Sequence, residues 1–141
     1  MEFSKTGKID KAWGYEVIWA SNGFYCGKIL VFEKVGARTT LVIHKNKKKS
    51  WFVQAGRFKI EFTDIKSGNT QTAVLEEGKT VDIMEMSPHS IEALSSNSMI
   101  FEVGTPDDIN DNFRLTPDDA VQTQMSELGS DPQSSHHRDK E

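Results

Sequence analysis

Apolar residues in this chain return at every second position rather than every third or fourth, a period that suits strands and excludes amphipathic helices. The clearest case runs from Arg57 to Ile65, where Phe58, Ile60 and Phe62 share one face and Lys59, Glu61 and Thr63 the other, so the first set is expected in a core and the second in water. Between Tyr25 and Lys34 both faces are apolar: Leu30 and Phe32 on one, Ile29 and Val31 on the other. Such a segment is buried on both sides, as in a barrel wall or a sandwich. Turn chemistry separates the segments at Ser21-Asn22-Gly23, Ala55-Gly56, Ser67-Gly68-Asn69, Glu77-Gly78 and Ser95-Ser96-Asn97. The strands expected are 13–20, 25–34, 38–44, 50–54, 57–65, 71–75, 80–84, 89–94 and 98–103, about nine with no convincing helix between them. That pattern belongs to an all-β sandwich or barrel.

A chain of 141 residues supplies one core of ordinary size. The barrel is expected over 8–115, after a short lead-in at 1–7. Thr116 has the character of a helix N-cap, with Pro117 at the first helical position and Asp118 and Asp119 in the first turn, which predicts a short helix over 116–125. Residues 126–141 lack the apolar content to fold and read as a disordered polar tail, which leaves His136 and His137 solvated. The net charge of −4 gives no reason to expect a nucleic acid or an anionic membrane as partner. Cys26 is the only cysteine, which excludes an intrachain disulfide and fits a reducing compartment; it is expected as a packed, inert thiol. No run approaches the ~18 apolar residues of a membrane span, and the N-terminus lacks an apolar leader. A cytoplasmic location is therefore expected.

The chemistry concentrates between Gly36 and His89. His44 ends an apolar strand and is followed by Asn46, Lys49, Trp51 and Gly56, while His89 stands eleven residues after Gly78. This layout resembles the two motifs of a cupin barrel, in which a His-x-His pair, an acid and a later histidine hold a metal. From Lys11 to about Asp119 the chain resembles, more narrowly, the cupin domain of type II mannose-6-phosphate isomerases. The residues that carry the likeness are Lys11, Trp13-Gly14-Tyr15-Glu16, Thr40-Leu41, His44, Trp51, Gly56, Phe101-Glu102-Val103, Asp107-Asp108-Ile109 and Arg114. The resemblance implies a single-domain, jelly-roll-like cupin β-barrel with a short C-terminal extension, usually paired as a homodimer. It also implies His44 and His89 as metal ligands. Two positions depart from the pattern: Asn46 stands in place of the second histidine and Lys49 in place of the acid.

The substitution at Lys49 dominates the expectation. An ammonium about 4 Å from a divalent ion costs on the order of 8 kcal/mol at an effective dielectric near 20, and a first-row metal normally takes three or four protein ligands. The cofactor expected is none, or a weakly held divalent metal on His44 and His89. The leading function is then binding of a small polar or anionic, carbohydrate-like ligand, contacted by Val42, Asn46, Lys49 and Trp51. The alternative is a sugar or sugar-phosphate isomerase or epimerase. In its metal-free form His44 or His89 abstracts a proton beside a carbonyl and Lys49 holds the developing oxyanion; in its metal-dependent form the two histidines carry the ion. Lys45, Lys47 and Lys48 are expected to form a solvated loop, and Trp13, Trp19, Trp51 and Phe58 to pack the barrel or a dimer seam.

Overall fold

In the computed structural model, Met1 and residues 6–115 are described. The short helix expected at 116–125 and the tail at 126–141 lie outside the described residues. Eleven strands account for most of the chain: β1 (Gly7–Lys11), β2 (Gly14–Ser21), β3 (Cys26–Phe32), β4 (Leu41–Ile43), β5 (Lys49–Ala55), β6 (Arg57–Thr63), β7 (Thr70–Glu76), β8 (Thr80–Ile83), β9 (His89–Ala93), β10 (Ser98–Gly104) and β11 (Phe113–Leu115). All pairings are antiparallel. They build a six-stranded sheet in the order β1-β2-β3-β10-β5-β8 and a five-stranded sheet in the order β11-β4-β9-β6-β7. The one helical turn among the described residues is a 3-10 turn at Ile109–Asp111, capped by Asp108, whose side chain accepts from the Asn110 amide. No helix among the described residues is long and apolar enough to cross a membrane.

The two sheets close over one core. Trp13, Leu30, Phe32, Trp51, Val53 and Ile100 from the first sheet meet Phe58, Ile60, Leu75, Ile91 and Ala93 from the second. Trp13 stacks on Phe32 with ring centroids 4.3 Å apart, and Phe32 meets Phe58 edge-on at 5.1 Å. Alternation explains who points inward, and it also produces a gradient along the barrel axis. The inward residues of β3 run Lys28, Leu30, Phe32; those of β5 run Lys49, Trp51, Val53; those of β10 run Glu102, Ile100, Ser98. Cross-strand register sets Glu102 between Lys28 and Trp51, and Ile100 between Leu30 and Val53. One end of the barrel is thus packed with hydrocarbon and the other with charge.

Several expectations need correction. Thr63 is buried, and its hydroxyl lies 3.1 Å from that of the exposed Thr70 directly across the β6–β7 ladder, which satisfies it. The strand expected over 38–44 shrinks to Leu41–Ile43; Arg38 makes an isolated bridge to Glu92, and His44 lies past the strand end. Strands β1 and β11 were not expected. Trp13, Trp51 and Phe58 pack inside the barrel, whereas Trp19 is about half exposed on the outside.

Candidate functional site

The loop after β4 is shaped by a single carboxylate. Asp111 accepts hydrogen bonds from three successive backbone amides, those of Lys45 at 2.6 Å, Asn46 at 2.9 Å and Lys47 at 3.0 Å. This grip takes the chain out of strand geometry at the position where a second histidine would otherwise face inward. The side chain of Asn46 is consequently exposed, and Lys47 turns into the barrel instead, 6% exposed. Lys47 therefore departs from the solvated-loop expectation. Its neighbour Lys48 is exposed and pairs with Glu85 at 3.3 Å, and Lys45 lies 5.4 Å over the Phe113 ring.

The buried charges form one network. Asp107, on the segment following β10, bridges two ammoniums: its Oδ1 lies 2.7 Å from Lys47 Nζ and its Oδ2 2.7 Å from Lys28 Nζ. Lys47 also donates to the Thr105 carbonyl at 2.9 Å. Lys28 lies 3.2 Å from Glu16, which in turn faces Lys11 at 3.5 Å. Lys49 lies 3.9 Å from Glu102 and 4.9 Å from the centroid of the Trp51 ring, while Trp51 Nε1 donates to Glu102 at 2.7 Å. Gly104 makes room for this packing, since a Cβ there would stand 2.8 Å from the Lys48 carbonyl and 3.4 Å from Lys47 Nζ. Lysines and carboxylates buried to this degree persist as ions only when paired.

Their pairing shows in their proton affinities. Burial disfavours the charge on Lys28, but Glu102, Glu16 and Asp107 outweigh it and raise its pKa above the usual lysine range. Burial likewise opposes ionisation of Glu102 and Asp107, yet the surrounding lysines hold both below the ordinary carboxylate range. For Lys49 burial wins: with Lys47 and Lys28 adding repulsion against the pull of Glu102, its pKa falls. The Cys26 thiol lies 3.8 Å from Asp107 and is pushed upward, by burial first and that carboxylate second, so it stays protonated.

The two histidines meet beside this network, their ring centroids 5.9 Å apart. Each has its tautomer set by a backbone carbonyl. Nδ1–H of His44 donates to Asp111 and Nδ1–H of His89 to Ser87, both at 2.8 Å. Both Nε2 atoms are thereby left as lone-pair acceptors, and that of His89 is buried with no hydrogen-bond partner among the described residues. Burial first and the Lys49 charge second drive the His44 pKa down to about 3; the same two causes hold His89 well below the usual value. His44, Val42, Lys28, Lys47, Lys49 and Asp107 line a cavity of about 90 Å³. Trp51 and His89 are not among its lining residues; Trp51 packs edge-on against His89 at 5.6 Å. Among the described residues no group of three or more histidines, cysteines or carboxylates is placed to hold a metal ion.

Sequence reasoning missed Lys28, Asp107 and Asp111. A signal for the first was present, since Lys28 interrupts an otherwise apolar strand and shares the parity of Leu30 and Phe32. Asp107 carries part of the family resemblance without being assigned to the site, and nothing local marks Asp111; the partners of both lie far away in the chain.

Solved structures repeat the architecture. KdgF from Halomonas sp. superposes with a TM-score of 0.58 at 19% identity, covering 67% of this chain and 79% of its own. Oxalate decarboxylase from Bacillus subtilis superposes at 0.70 and 19% identity, over 100% of this chain. This chain folds as a cupin barrel. CapF, a capsular polysaccharide assembling protein from Staphylococcus aureus, shares the cupin architecture at a TM-score of 0.69 and 17% identity, over 79% of this chain. The chain spans only 39% of the decarboxylase and 34% of CapF. Likeness at such identities is likeness of fold. No protein-family model matches the sequence, and no curated protein matches it.

Proposed function

We propose that this cupin binds a small anion in the cavity between His44 and Lys49, and that the Lys49 ammonium stands in place of a metal. The observation that carries the reading is the cavity itself, whose wall sets a neutral imidazole beside three ammoniums, two of them paired with Asp107 and the third 3.9 Å from Glu102. Ammonium and N–H donors are the groups that recognise carboxylates and phosphates. The residues present do not fit a divalent ion. Two imidazoles lie together, their ring centroids 5.9 Å apart, but the third and fourth positions hold an exposed Asn46 and a cation.

Size narrows the ligand. A cavity of about 90 Å³ falls well short of the ~300 Å³ at which drug-sized ligand pockets begin. A two-carbon carboxylate suits that space, and oxalate decarboxylase bears in its name an anion of this class. A carbohydrate-sized ligand, as the mannose-6-phosphate isomerase resemblance suggests, requires the segment carrying Asp107 to withdraw. Binding is preferred to proton abstraction because a His44 with a pKa of about 3 is neutral but a weak base, far from the near-neutral value that serves general-base catalysis. Isothermal titration with oxalate and glyoxylate tests the reading. Saturable binding that weakens at least ~tenfold in Lys49→Ala, about 1.4 kcal/mol, is expected; binding indifferent to that change would contradict it.

We propose the homodimer on separate grounds. The outer face of the six-stranded sheet exposes Trp19, Phe52, Phe101 and Val103, with the Phe52 and Phe101 rings 6.3 Å apart across the β5–β10 ladder. A contiguous apolar face of this kind suits a second copy, and sedimentation of the wild type against Phe101→Glu distinguishes dimer from monomer.

A further inference from the structure

Two buried lysines converge on Asp107, which is carried by a segment outside helix and strand. Lys28 is fixed within β3, and the Lys47 backbone is held by Asp111 in the 3-10 turn that follows Asp107. Residues 105–108 have no regular structure, and the Asp107 side chain is 24% exposed against 10% and 5% for the lysine side chains it joins. Its two oxygens take one ammonium each, as a free carboxylate would, and it forms part of the cavity wall at that point. Four ammoniums (Lys11, Lys28, Lys47, Lys49) and three carboxylates (Glu16, Glu102, Asp107) meet in this network. Withdrawal of Asp107 takes from Lys28 and Lys47 the carboxylate they share and enlarges the cavity at the same place.

We infer that Lys28 and Lys47 form a carboxylate-binding subsite which the chain fills with its own Asp107, and that the ligand enters by exchanging its carboxylate for that side chain. This deepens the anion-binding reading above and rests on it. The exchange makes and breaks no covalent bond; one carboxylate replaces another, so the charge of the network is the same before and after. It also assigns the ligand class, a compound bearing at least one free carboxylate small enough to pass between Lys28 and Lys47. Because the internal carboxylate competes, the apparent affinity of the wild type is its intrinsic affinity reduced by the fraction of molecules with Asp107 withdrawn.

Formate is the direct probe, being the group that Asp107→Ala removes. The full chain is compared as wild type, Asp107→Ala and Asp107→Ala with Lys47→Met, following the midpoint of thermal unfolding as formate is titrated in chloride-free buffer. Asp107→Ala is expected to unfold at lower temperature than wild type and to recover saturably with formate. Wild type, whose own carboxylate competes, should need at least about tenfold more formate for the same shift, and the double variant should respond less than Asp107→Ala. A formate response of equal size in all three proteins would overturn the inference. Asp107→Asn provides a second test if the alanine variant does not fold, since it keeps the shape and removes the charge. Oxalate should bind Asp107→Asn about tenfold tighter than wild type or more, which corresponds to an internal carboxylate seated at least ~90% of the time. Equal or weaker binding contradicts the exchange while leaving the Lys49-dependent site standing. If oxalate and glyoxylate bind neither protein in a Lys49-dependent way, the anion-binding reading fails and this inference fails with it.

Discussion

The two ends of this barrel are built by the same strands from opposite materials. At one end Phe32, Val53, Phe58 and Ile100 are fully buried among other hydrocarbons. At the other, two to four residues away on the same strands, Lys28, Lys49 and Glu102 are buried among charges. The apolar end gains from every methylene taken out of water. The charged end gains little net energy from its ion pairs, because desolvating each charge offsets most of their attraction. Its value lies in placing fixed donors around a small space. The comparison teaches that burial alone does not mark a stabilising residue in this fold; what matters is whether a substitution leaves a charge behind.

That distinction can be broken by experiment, beginning with the largest expected effect. Lys49→Glu restores the charge type that the cupin metal pattern calls for, beside two imidazoles whose Nε2 atoms already lack the proton. Zinc or cobalt affinity, measured by competition with a chromogenic chelator, should rise on the order of a thousandfold over wild type. No rise would show that the distance between the histidines, not the ammonium, prevents coordination.

Next come truncations at the two ends. Phe32→Ala should lose about 3–5 kcal/mol in urea unfolding through the cavity it opens. Glu102→Ala should lose a similar ~3–5 kcal/mol for a different reason, since it strands Lys49 and removes the acceptor of Trp51 Nε1. The double change Glu102→Gln with Lys49→Met keeps that acceptor and removes both charges, and should cost less than Glu102→Ala alone. A double variant as damaged as the sum of its parts would mean the ion pair contributes real net stability.

A smaller effect separates the ends by pH. The folded pKa of Asp107 lies below its ordinary value of 3.8, so the stability it contributes is complete above that value and drains away as pH falls through it toward the folded pKa. The deficit of Asp107→Asn relative to wild type should therefore shrink as pH falls below about 4, while the deficit of Phe32→Ala stays constant. Equal pH dependence in the two variants would contradict the charge assignment.

The smallest effect belongs to Asn46. Its side chain is exposed, so Asn46→Ala should change stability by less than about 0.5 kcal/mol and leave oxalate binding unaltered.

How much of this was legible in the sequence follows from the range of the forces involved. Strands with an apolar face, such as β6 and β9, announce themselves through alternation. Strand β1 does not, because it is an edge ribbon paired only with β2 and carries one aliphatic residue, Ile9, and β11 has only three residues. His44 and His89 were legible as a pair because motif spacing survives in the chain. The inward turn of Lys47 in place of Asn46 was not, because it depends on Asp111, more than sixty residues later, capturing three amides. The Lys28–Asp107 pair shares that difficulty: a lysine inside an apolar strand signals a buried partner without saying which carboxylate it is.

The central claim is that a built-in ammonium has replaced the metal of a cupin. Elemental analysis of untagged protein, purified without chelators, tests it most directly. The account predicts well under one equivalent of zinc, nickel, iron or manganese per chain, unchanged in His44→Ala and His89→Ala. One tightly held equivalent that disappears in either histidine variant would contradict it.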